Sequence, residues 1–425
     1  MRKSILRSKH PFIAIPSVWN NFRLGATFAA LRHPNYRLWF FGQMVSLIGT
    51  WMQSTALGFL VYELTASPAY LGYMGFAAGL PTWLFTLYGG VIADRMPRRT
   101  MLILTQSSMM TLAGVLAFLT FTGLVQAWHL VGLAFLLGVA NAFDAPARLA
   151  FVIELVPQED LTNAIALNST MFNAATAIGP AVGGIAYATF GPAWCFAFNM
   201  LSFLAIIVAL ARMRLRTLRK SAPHGRAVDD IRQAVRFVCA DPVVGPLVLY
   251  LAAVSFLGMG FVTLMPAWAV EVLGGGATTN GWLQSARGIG ALFGALLTAS
   301  LAQRAIRGKL ISLGMVAFPI VLFGFALVRW LPLSLGALVI LGLTLMIYLN
   351  NSNSMVQTRT PEELRGRVLS IYSLSFFGLM PLGSLFAGAL ASLLGAPAAV
   401  MISAVLLGIG SGVVWRKAPQ VRRMR

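Results

Sequence analysis

Long apolar stretches, separated by short polar segments, follow one another along almost the whole chain. Each stretch is close to the roughly 20 residues that a helix needs to cross the hydrocarbon core of a bilayer. The stretches lack the period-two alternation of barrel strands, and a span of this length satisfies its own backbone N–H groups only as a helix. The pattern predicts twelve helices, at residues 37–61, 69–93, 101–122, 129–150, 163–189, 194–213, 243–270, 279–302, 310–328, 333–357, 367–391 and 396–415.

The composition indicates whether the chain lies in water or in a membrane. Of its 425 residues, 58% are hydrophobic and 10% are charged, whereas soluble domains carry about 25% charged residues. The mean hydropathy is +0.78. One soluble core cannot hide this much apolar surface, because a water-exposed protein needs polar residues in proportion to its area. The chain is therefore predicted to be an all-α membrane protein.

The basic residues predict how the chain is oriented. They collect before the first span, after the second, sixth, eighth and tenth spans, and in the tail, while loops 62–68, 123–128, 190–193 and 271–278 contain no Lys or Arg. Cytoplasmic loops carry this excess of positive charge. We expect a multi-pass protein of the inner (plasma) membrane with both termini in the cytoplasm. The net charge of +20 lies in short clusters at span ends, which argues against nucleic-acid binding.

The two halves of the chain resemble each other. A Pro and two Gly residues recur at matching places, and so do two arginines after the second and eighth spans. The matched sets are Pro157, Gly179, Gly184, Arg95 and Arg98 in the first half and Pro361, Gly383, Gly388, Arg304 and Arg307 in the second. We predict two pseudosymmetric six-helix bundles at 37–213 and 241–416. A basic segment at 1–36 precedes them, a cytoplasmic linker at 214–240 joins them, and a basic tail at 417–425 follows. Such a duplication is typical of alternating-access transporters.

A charged motif follows the second predicted span. Residues 90–99 read GVIADRMPRR and resemble the loop motif G-x-x-x-D-R-x-G-R-R/K of the major facilitator superfamily, with Pro97 in place of a glycine. The carboxylate of Asp94 can accept hydrogen bonds from arginines, or from N–H groups that open the eleventh span. We expect an inner gate latch, closed in the outward-open state, made of Gly90, Asp94, Arg95, Arg98 and Arg99. The alternative is that the basic residues only fix the topology.

The fifth predicted span carries a motif of small residues. Residues 175–184 read ATAIGPAVGG and resemble the antiporter-associated motif G-x-x-x-G-P-x-x-G-G, which within the superfamily is similar to that of exporters. Gly179, Gly183 and Gly184 allow a close helix crossing, and Pro180 removes a backbone donor and creates a kink site. Ordinary helix packing is the alternative explanation.

Three further segments look like the enterobactin-exporter branch of the superfamily, of the transmembrane secretion effector type. They are LRHPNYRLW at 31–39, DAPAR at 144–148 and PEELRGRV at 361–368. The resemblance implies export of an amphipathic small molecule (a drug, siderophore or metabolite) by proton antiport with alternating access. We expect a monomer that needs no cofactor. A proton-coupled uptake symporter and a non-transporting membrane receptor on the same fold stay open as alternatives.

Polar residues inside spans are candidates for the substrate cavity. Gln43, Ser46, Thr50 and Gln53 form one stripe on the first span, and Asn350 and Asn351 lie in the tenth. The resemblance implies that the first helix of each half lines the cavity, whereas interhelical hydrogen bonds are the alternative role. Arg287 lies in the middle of the eighth span, where a cation costs about 2.5–3.5 kcal/mol. It is expected to face a wet cavity and an anionic group of the substrate, or else to form a structural pair.

Asp144 and Arg148, one helical turn apart in the fourth span, are candidates for a proton relay or, alternatively, for a gate salt bridge. A partly desolvated acid near a cation suits either role. The chain contains no Walker, G-x-S-x-G or H-E-x-x-H motif, and its four histidines lack metal-ligand spacing. We therefore predict neither an enzyme nor a metal site.

Overall fold

The computed structural model describes residues 28–213, 227–301 and 306–423, without the side chains of 86–87, 89–95, 227–231 and 423. Within these ranges the chain is helical and contains no strand, which confirms the predicted all-α class. The long helices are α1 (Pro34–Thr65), α2 (Pro68–Arg95), α3 (Arg98–Phe121), α4 (Ala127–Leu155), α5 (Leu161–Phe190), α6 (Pro192–Arg212), the interrupted helix α7 (244–272), α8 (Ala277–Leu301), α9 (Arg307–Leu327), α10 (Leu331–Arg359), α11 (Glu362–Leu394) and α12 (Ala396–Lys417).

Nine of the helices in the described ranges are long and apolar enough to cross a membrane. Helices α2, α5 and α8 have 28, 30 and 25 residues and are also of spanning length, so the structure is consistent with twelve spans. Several helices run past their predicted ends; α4 reaches Leu155 and α10 reaches Arg359. Hydropathy marks only the part of a helix that lies in lipid, whereas the backbone hydrogen bonds continue into the polar interface.

Helix packing follows a two-fold pattern. In the first half α1 packs against α5 and α6, α2 against α4, and α3 against α4 and α6. Adding six to each helix number gives the packing of the second half, where α7 packs against α11 and α12, α8 against α10, and α9 against α10 and α12. The halves meet where α2 packs against α11 and where α5 packs against α8. Because α2 corresponds to α8 and α5 to α11, the two contacts are equivalent. The predicted pair of pseudosymmetric six-helix bundles is confirmed.

Glycine pairs lie at both of these crossings between the halves. A Cβ built on Gly184 of α5 would lie 3.0 Å from the Cα of Gly281 on α8, and one built on Gly388 of α11 would lie 2.7 Å from the Cα of Gly72 on α2. The two pairs are equivalent under the two-fold, since Gly184 and Gly388 occupy matched places in the sequence repeat. Lipid gives helices no hydrophobic reason to associate, so close backbone packing of small residues supplies the attraction.

Filling one of these crossings is expected to destabilise the protein. Gly184→Val places a branched side chain against the backbone of Ala277 and Gly281, and overpacking of this kind costs about 1–3 kcal/mol. Thermal unfolding of the purified protein in detergent should show a lower melting temperature. Gly410→Val on α12 is the control, because nothing lies within 4 Å of a Cβ built there. Equal melting temperatures for the two variants would contradict the role of the crossing.

We call the end of the bundle that carries the basic loops the basic end and the opposite end the outer end. At the outer end the two halves are closed against each other. One buried apolar cluster contains residues of α1 and other first-half helices together with Ala267 and Ala277 of the second half. The hydroxyl of Tyr62 on α1 donates to the carboxylate of Glu271 on α7 at 2.5 Å. Helices α1 and α7 therefore seal this end.

At the basic end the described ion pairs each stay within one half. His33 Nε2 lies 2.7 Å from an oxygen of Asp160, and an Arg98 nitrogen lies 2.8 Å from Glu154, both in the first half. The Asp241–Arg359 pair belongs to the second half. The buried apolar cluster at the basic end of the first half likewise contains only first-half residues. Among the described residues, the shared cluster and the Tyr62–Glu271 hydrogen bond join the halves at the outer end, whereas the ion pairs of the basic end lie within one half.

Asp241 fastens the beginning of α7 to the end of α10. Its carboxylate accepts from the N–H groups of Val243 and Val244 at 2.8 and 2.9 Å, and from Arg359 Nε at 2.9 Å to each oxygen. Partial burial raises the pKa of this carboxyl, but the backbone N–H groups and the guanidinium outweigh burial, so the pKa lies below its ordinary value.

The lowered pKa predicts how Asp241→Asn changes stability with pH. The ionised carboxyl stabilises the fold at pH values above the ordinary aspartate pKa of about 4, and this contribution is lost as the pH falls through the lower folded-state value. At pH 7 we expect Asp241→Asn to lower the melting temperature, since a hydrogen bond to a charged group contributes about 1.5–3 kcal/mol. The difference from the unmodified protein should shrink as the pH falls below about 4. A difference that grows on acidification would contradict this assignment.

Two segments outside the spans are more ordered than their sequence suggests. The predicted linker contains the helix Ala227–Ala240, which packs against the beginning of α11 and buries Ala234 and Val238. The predicted tail contains the terminal helix Pro419–Arg423, which packs against α9 and buries Val421. Burial of one or two apolar side chains fixes each of these segments to the second half. Residues 1–27 and 214–226 lie outside the described ranges.

Two helices of the second half contain π-helical segments. They are Val254–Gly258 and Trp268–Val272 in α7 and Leu374–Gly378 in α11, and the segments Val254–Gly258 and Leu374–Gly378 are in contact. The hydroxyl of Ser255 donates to the carbonyl of Phe376 and joins them. The corresponding first-half helices, α1 and α5, contain no such segment along their whole length. The pattern of hydrophobic positions gave no indication of this asymmetry.

Candidate functional site

Arg287 is placed on the inner face of α8. The opposite face exposes Trp282, Ile289 and Phe293 and is the lipid side of the helix. Residues at spacings of three and four lie on one helix face, so Arg287 continues the strip begun by Asn280 and Gln284. The Nε atom of Arg287 is buried and has no hydrogen-bond partner among the described residues. The cation therefore presents an unpaired donor inside the bundle.

The two-fold repeat shows that the fold does not need a charge at this position. A Cβ built on Gly342 of α10 would meet the backbone oxygen of Arg287 at 2.1 Å, and one built on Gly138 of α4 would meet that of Ala78 at 2.3 Å. Arg287 and Ala78 are therefore equivalent positions at the α8–α10 and α2–α4 crossings. The same crossing forms with alanine in the first half, so packing does not account for the arginine.

The polar stripe of α1 is turned in part toward α6. Gln43, Ser46 and Gln53 are buried, and Thr50 is half-buried and donates to the backbone of Ser46. The side-chain oxygen of Gln53 accepts from the amide of Asn199 on α6 at 2.8 Å. This is the interhelical hydrogen bond that the sequence offered as the alternative role for the stripe.

The remaining polar atoms of this region differ in how they are satisfied. The Oε1 atom of Gln43 is buried without a described partner. On α10, Asn350 is half-buried, whereas Asn351 is buried and donates to the backbone oxygen of Ile347 at 2.8 Å. Buried polar atoms usually have partners, so the unpaired atoms of Gln43 and Arg287, together with those of Asn280 and Ser285 on α8, are candidates for contact with a ligand or water.

Asp144 and Arg148 form a pair inside the first half. Asp144 is 1% exposed and accepts from Thr105 and Gln106 of α3 at 2.8 and 2.9 Å. The nearest Arg148 nitrogen lies 3.5 Å away, on the same helix. The described contacts thus connect α4 with α3, and this pair does not join the halves in the present conformation.

The loop motif after α2 falls partly outside the described side chains. Gly90, Asp94 and Arg95 lie in the stretch 89–95, whose side chains the structure does not describe. Arg98 donates to Glu154 and to the backbone of Ala150, and Arg99 donates to backbone oxygens of Met213 and Ala211; both therefore fasten α3 to the rest of the first half. At the beginning of α11, a Cβ built on Gly366 would meet nothing within 4 Å. Gly366 itself is thus uncrowded in this conformation, although the linker helix packs against the same part of α11.

The small-residue motif of α5 lies at two helix crossings. Gly179 and Gly183 face α1, where added Cβ atoms would lie 3.0 Å from the Ile48 oxygen and 2.9 Å from the Met52 oxygen. Gly184 faces α8. Pro180 has no backbone N–H to donate to the carbonyl of Thr176. Gly288 of α8 approaches this carbonyl, and a Cβ built on Gly288 would lie 2.4 Å from its oxygen. The helix continues through Pro180 without interruption.

Sequence reasoning missed the tyrosine–carboxylate pairs at the outer end. Tyr62 donates to Glu271 and so connects the halves, and Tyr187 donates to Glu63 within the first half. The neighbours Tyr62 and Glu63, both near an outer span end, were the only available signal. Among the described residues, no group of three or more His, Cys, Asp or Glu is arranged to hold a metal ion.

Two six-helix bundles related by a two-fold are the architecture of a membrane transporter of the major facilitator superfamily. The match to one family of that superfamily covers residues 25–423. The chain belongs to the transmembrane secretion effector family.

Curated relatives agree with this assignment, and solved structures share the fold. The enterobactin exporter EntS of Shigella flexneri is 25% identical over 347 residues, covering 80% of this chain and 81% of the relative. EntS of Escherichia coli O139:H28 is 25% identical over 350 residues, with the same coverage. The nucleoside transporter NupG has a TM-score of 0.71 at 11% identity and covers 92% of this chain and 99% of its own. A bacterial homologue of the human lysosomal transporter Spinster, inward-facing and unoccupied, has a TM-score of 0.70 at 16% identity, covering 93% and 98%.

Proposed function

We propose that this protein exports an amphipathic small molecule from the cytoplasm across the inner membrane by proton antiport with alternating access. The observation that carries the proposal is the asymmetry of the two ends. The halves share a buried cluster and the Tyr62–Glu271 hydrogen bond at the outer end, whereas the described ion pairs of the basic end each stay within one half. This is the arrangement of a transporter that is open toward the side of the basic loops.

Export is favoured over uptake by two observations. The curated relatives named above are exporters, and α5 carries the glycine–proline pattern at its crossings with α1 and α8. In this proposal the substrate enters from the basic end and its anionic or polar group contacts Arg287. Gln43 and Thr50 on α1 and Asn350 on α10 complete the polar contacts, and Asp144 with Arg148 serves as relay or gate.

The inner latch belongs to the opposite conformation. When the outer end opens, α2 and α11 close at the basic end, and Asp94 receives hydrogen bonds near Gly366, which is uncrowded here. Arg95, Arg98 and Arg99 supply the positive charge around this contact.

Asp94→Asn is expected to slow turnover severely while insertion into the membrane is unaffected, because the amide keeps the shape of the side chain but loses the charge-assisted hydrogen bonds. The initial export rate per molecule of inserted protein is the measurement. An unchanged rate would remove the latch from the proposal.

Everted membrane vesicles test the transport reaction. The substrate is first identified by comparing the culture medium of cells with and without the protein. Accumulation of that compound in everted vesicles should need an imposed proton gradient and should stop when an ionophore collapses it. Accumulation that survives complete collapse would contradict antiport, uptake only from the outer side would favour the symporter, and binding without flux would favour the receptor.

A further inference from the structure

We propose that the protein binds an anionic phospholipid of the cytoplasmic leaflet in a groove between α9, α12 and the terminal helix Pro419–Arg423. The groove has a volume of about 480 Å³, within the range of small-ligand sites. Its lining residues are Lys309, Ser312, Leu313, Val316, Trp415 and Arg422.

The groove lies where the helices leave the bilayer. Lys309 is in the first turn of α9 and Trp415 is in the last turn of α12, both at the basic end. Trp side chains favour the depth of lipid headgroups. Along α9, Leu313 and Ile320 are 57% and 64% exposed, so the groove opens sideways toward the hydrocarbon and not toward the interior of the bundle.

The charges at its mouth have one sign. Lys309 and Arg422 form no ion pair among the described residues, and the segments 307–328 and 396–423 contain no Asp or Glu. The Arg422 guanidinium lies 4.5 Å from the centroid of the Trp415 ring, a cation–π contact that holds the cation at the rim. Two cations at one groove, without a carboxylate partner among the described residues, suit a phosphate group.

The rest of the lining is apolar and continues away from the cations. Leu313 and Val316 follow Lys309 at helical spacing on α9. A free anion would use only the mouth of this groove. A phospholipid uses all of it, with the phosphate between Lys309 and Arg422 and an acyl chain along Leu313 and Val316. Such binding fastens the terminal helix to α9 and α12.

Thermal unfolding of the purified full chain in detergent tests the proposal, with phosphatidylglycerol, phosphatidylcholine or inorganic phosphate added. A ligand that binds only the folded state raises the melting temperature. Phosphatidylglycerol should raise it more than phosphatidylcholine does, and inorganic phosphate should have no comparable effect. Equal responses to the two lipids, or a full response to inorganic phosphate, would overturn the proposal.

Variants locate the site. Lys309→Gln with Arg422→Gln should weaken phosphatidylglycerol binding about thirtyfold, and Lys309→Gln alone about fivefold. Arg232→Gln with Arg236→Gln is the control, since it removes two charges from the exposed linker helix on the same side. An equal loss in this control would overturn the proposal.

A second pair of variants keeps both charges. Val316→Trp fills the groove and should abolish the lipid response. Ile320→Trp, one turn farther along the exposed face of α9, should leave the response intact. A full response in Val316→Trp would show that the acyl chain does not lie in the groove and would overturn the proposal.

Discussion

Arg287→Ala is expected to reduce export at least tenfold while the protein keeps or gains thermal stability. The guanidinium carries a buried Nε without a described partner, so its removal takes away a buried polar atom whose desolvation no described hydrogen bond compensates. The substrate loses a charge-assisted hydrogen bond, which contributes about 1.5–3 kcal/mol. Export of the compound identified from the medium and the melting temperature in detergent are the two measurements.

The combination of the two readouts separates the possible roles of Arg287. A structural partner would make Arg287→Ala lower the melting temperature together with export, and that result would contradict a substrate contact. Arg287→Lys is the conservative variant and should restore part of the export, because it keeps the charge but loses the planar fork of donors. Arg329→Ala is the control, since Arg329 lies at the outer end and donates to the backbone of Ala326 and Val328.

Tyr62→Phe is expected to shift the protein toward the outward-open conformation. The change removes the hydrogen bond to Glu271 that joins the halves at the outer end and leaves the apolar ring in place. A lost hydrogen bond of about 1–2 kcal/mol changes the ratio of the two conformations by roughly five- to thirtyfold. Spin labels at Leu124→Cys and Gly276→Cys, in a Cys239→Ser background, report the separation of the halves by electron spin resonance. Both label sites lie at the outer end, Leu124 being 60% exposed and Gly276 uncrowded.

Tyr187→Phe supplies the matched control for this experiment. Its hydroxyl donates to Glu63, and both residues belong to the first half. The same chemical change should therefore leave the distribution of label distances unchanged. Equal shifts in Tyr62→Phe and Tyr187→Phe would mean that the Tyr62–Glu271 contact does not hold the outer end closed.

The bundle architecture was predictable because lipid restricts what a chain can do. Span length follows from bilayer thickness, and the recurrence of Gly179 and Gly184 as Gly383 and Gly388 follows from the two-fold, since equivalent crossings need equally small residues. The glycine contacts confirm this correspondence. Arg287 stood out for the same reason, because hydrocarbon tolerates few charges.

A single sequence could not predict which way the side chains point or which distant residues pair. The stripe on α1 was visible as a periodic pattern, but Gln53 bonds to Asn199 because Gly49 lets α6 approach, with Ser202 and Asn199 within 2.5 Å of a built Cβ. The partners Tyr62 and Glu271 are 209 positions apart, and no local pattern connects them. Packing of the linker and terminal helices likewise depends on neighbours that only the folded chain provides.

The π-helical segments make the two bundles mechanically unequal. In a regular helix every turn is held by the same ladder of backbone hydrogen bonds, whereas a π segment widens one turn and weakens the resistance to bending there. Because α7 and α11 carry such segments side by side and α1 and α5 carry none, we expect α7 and α11 to bend more readily at their centres than α1 and α5 do. The two bundles thus have the same architecture, but bending is expected to concentrate in the second one.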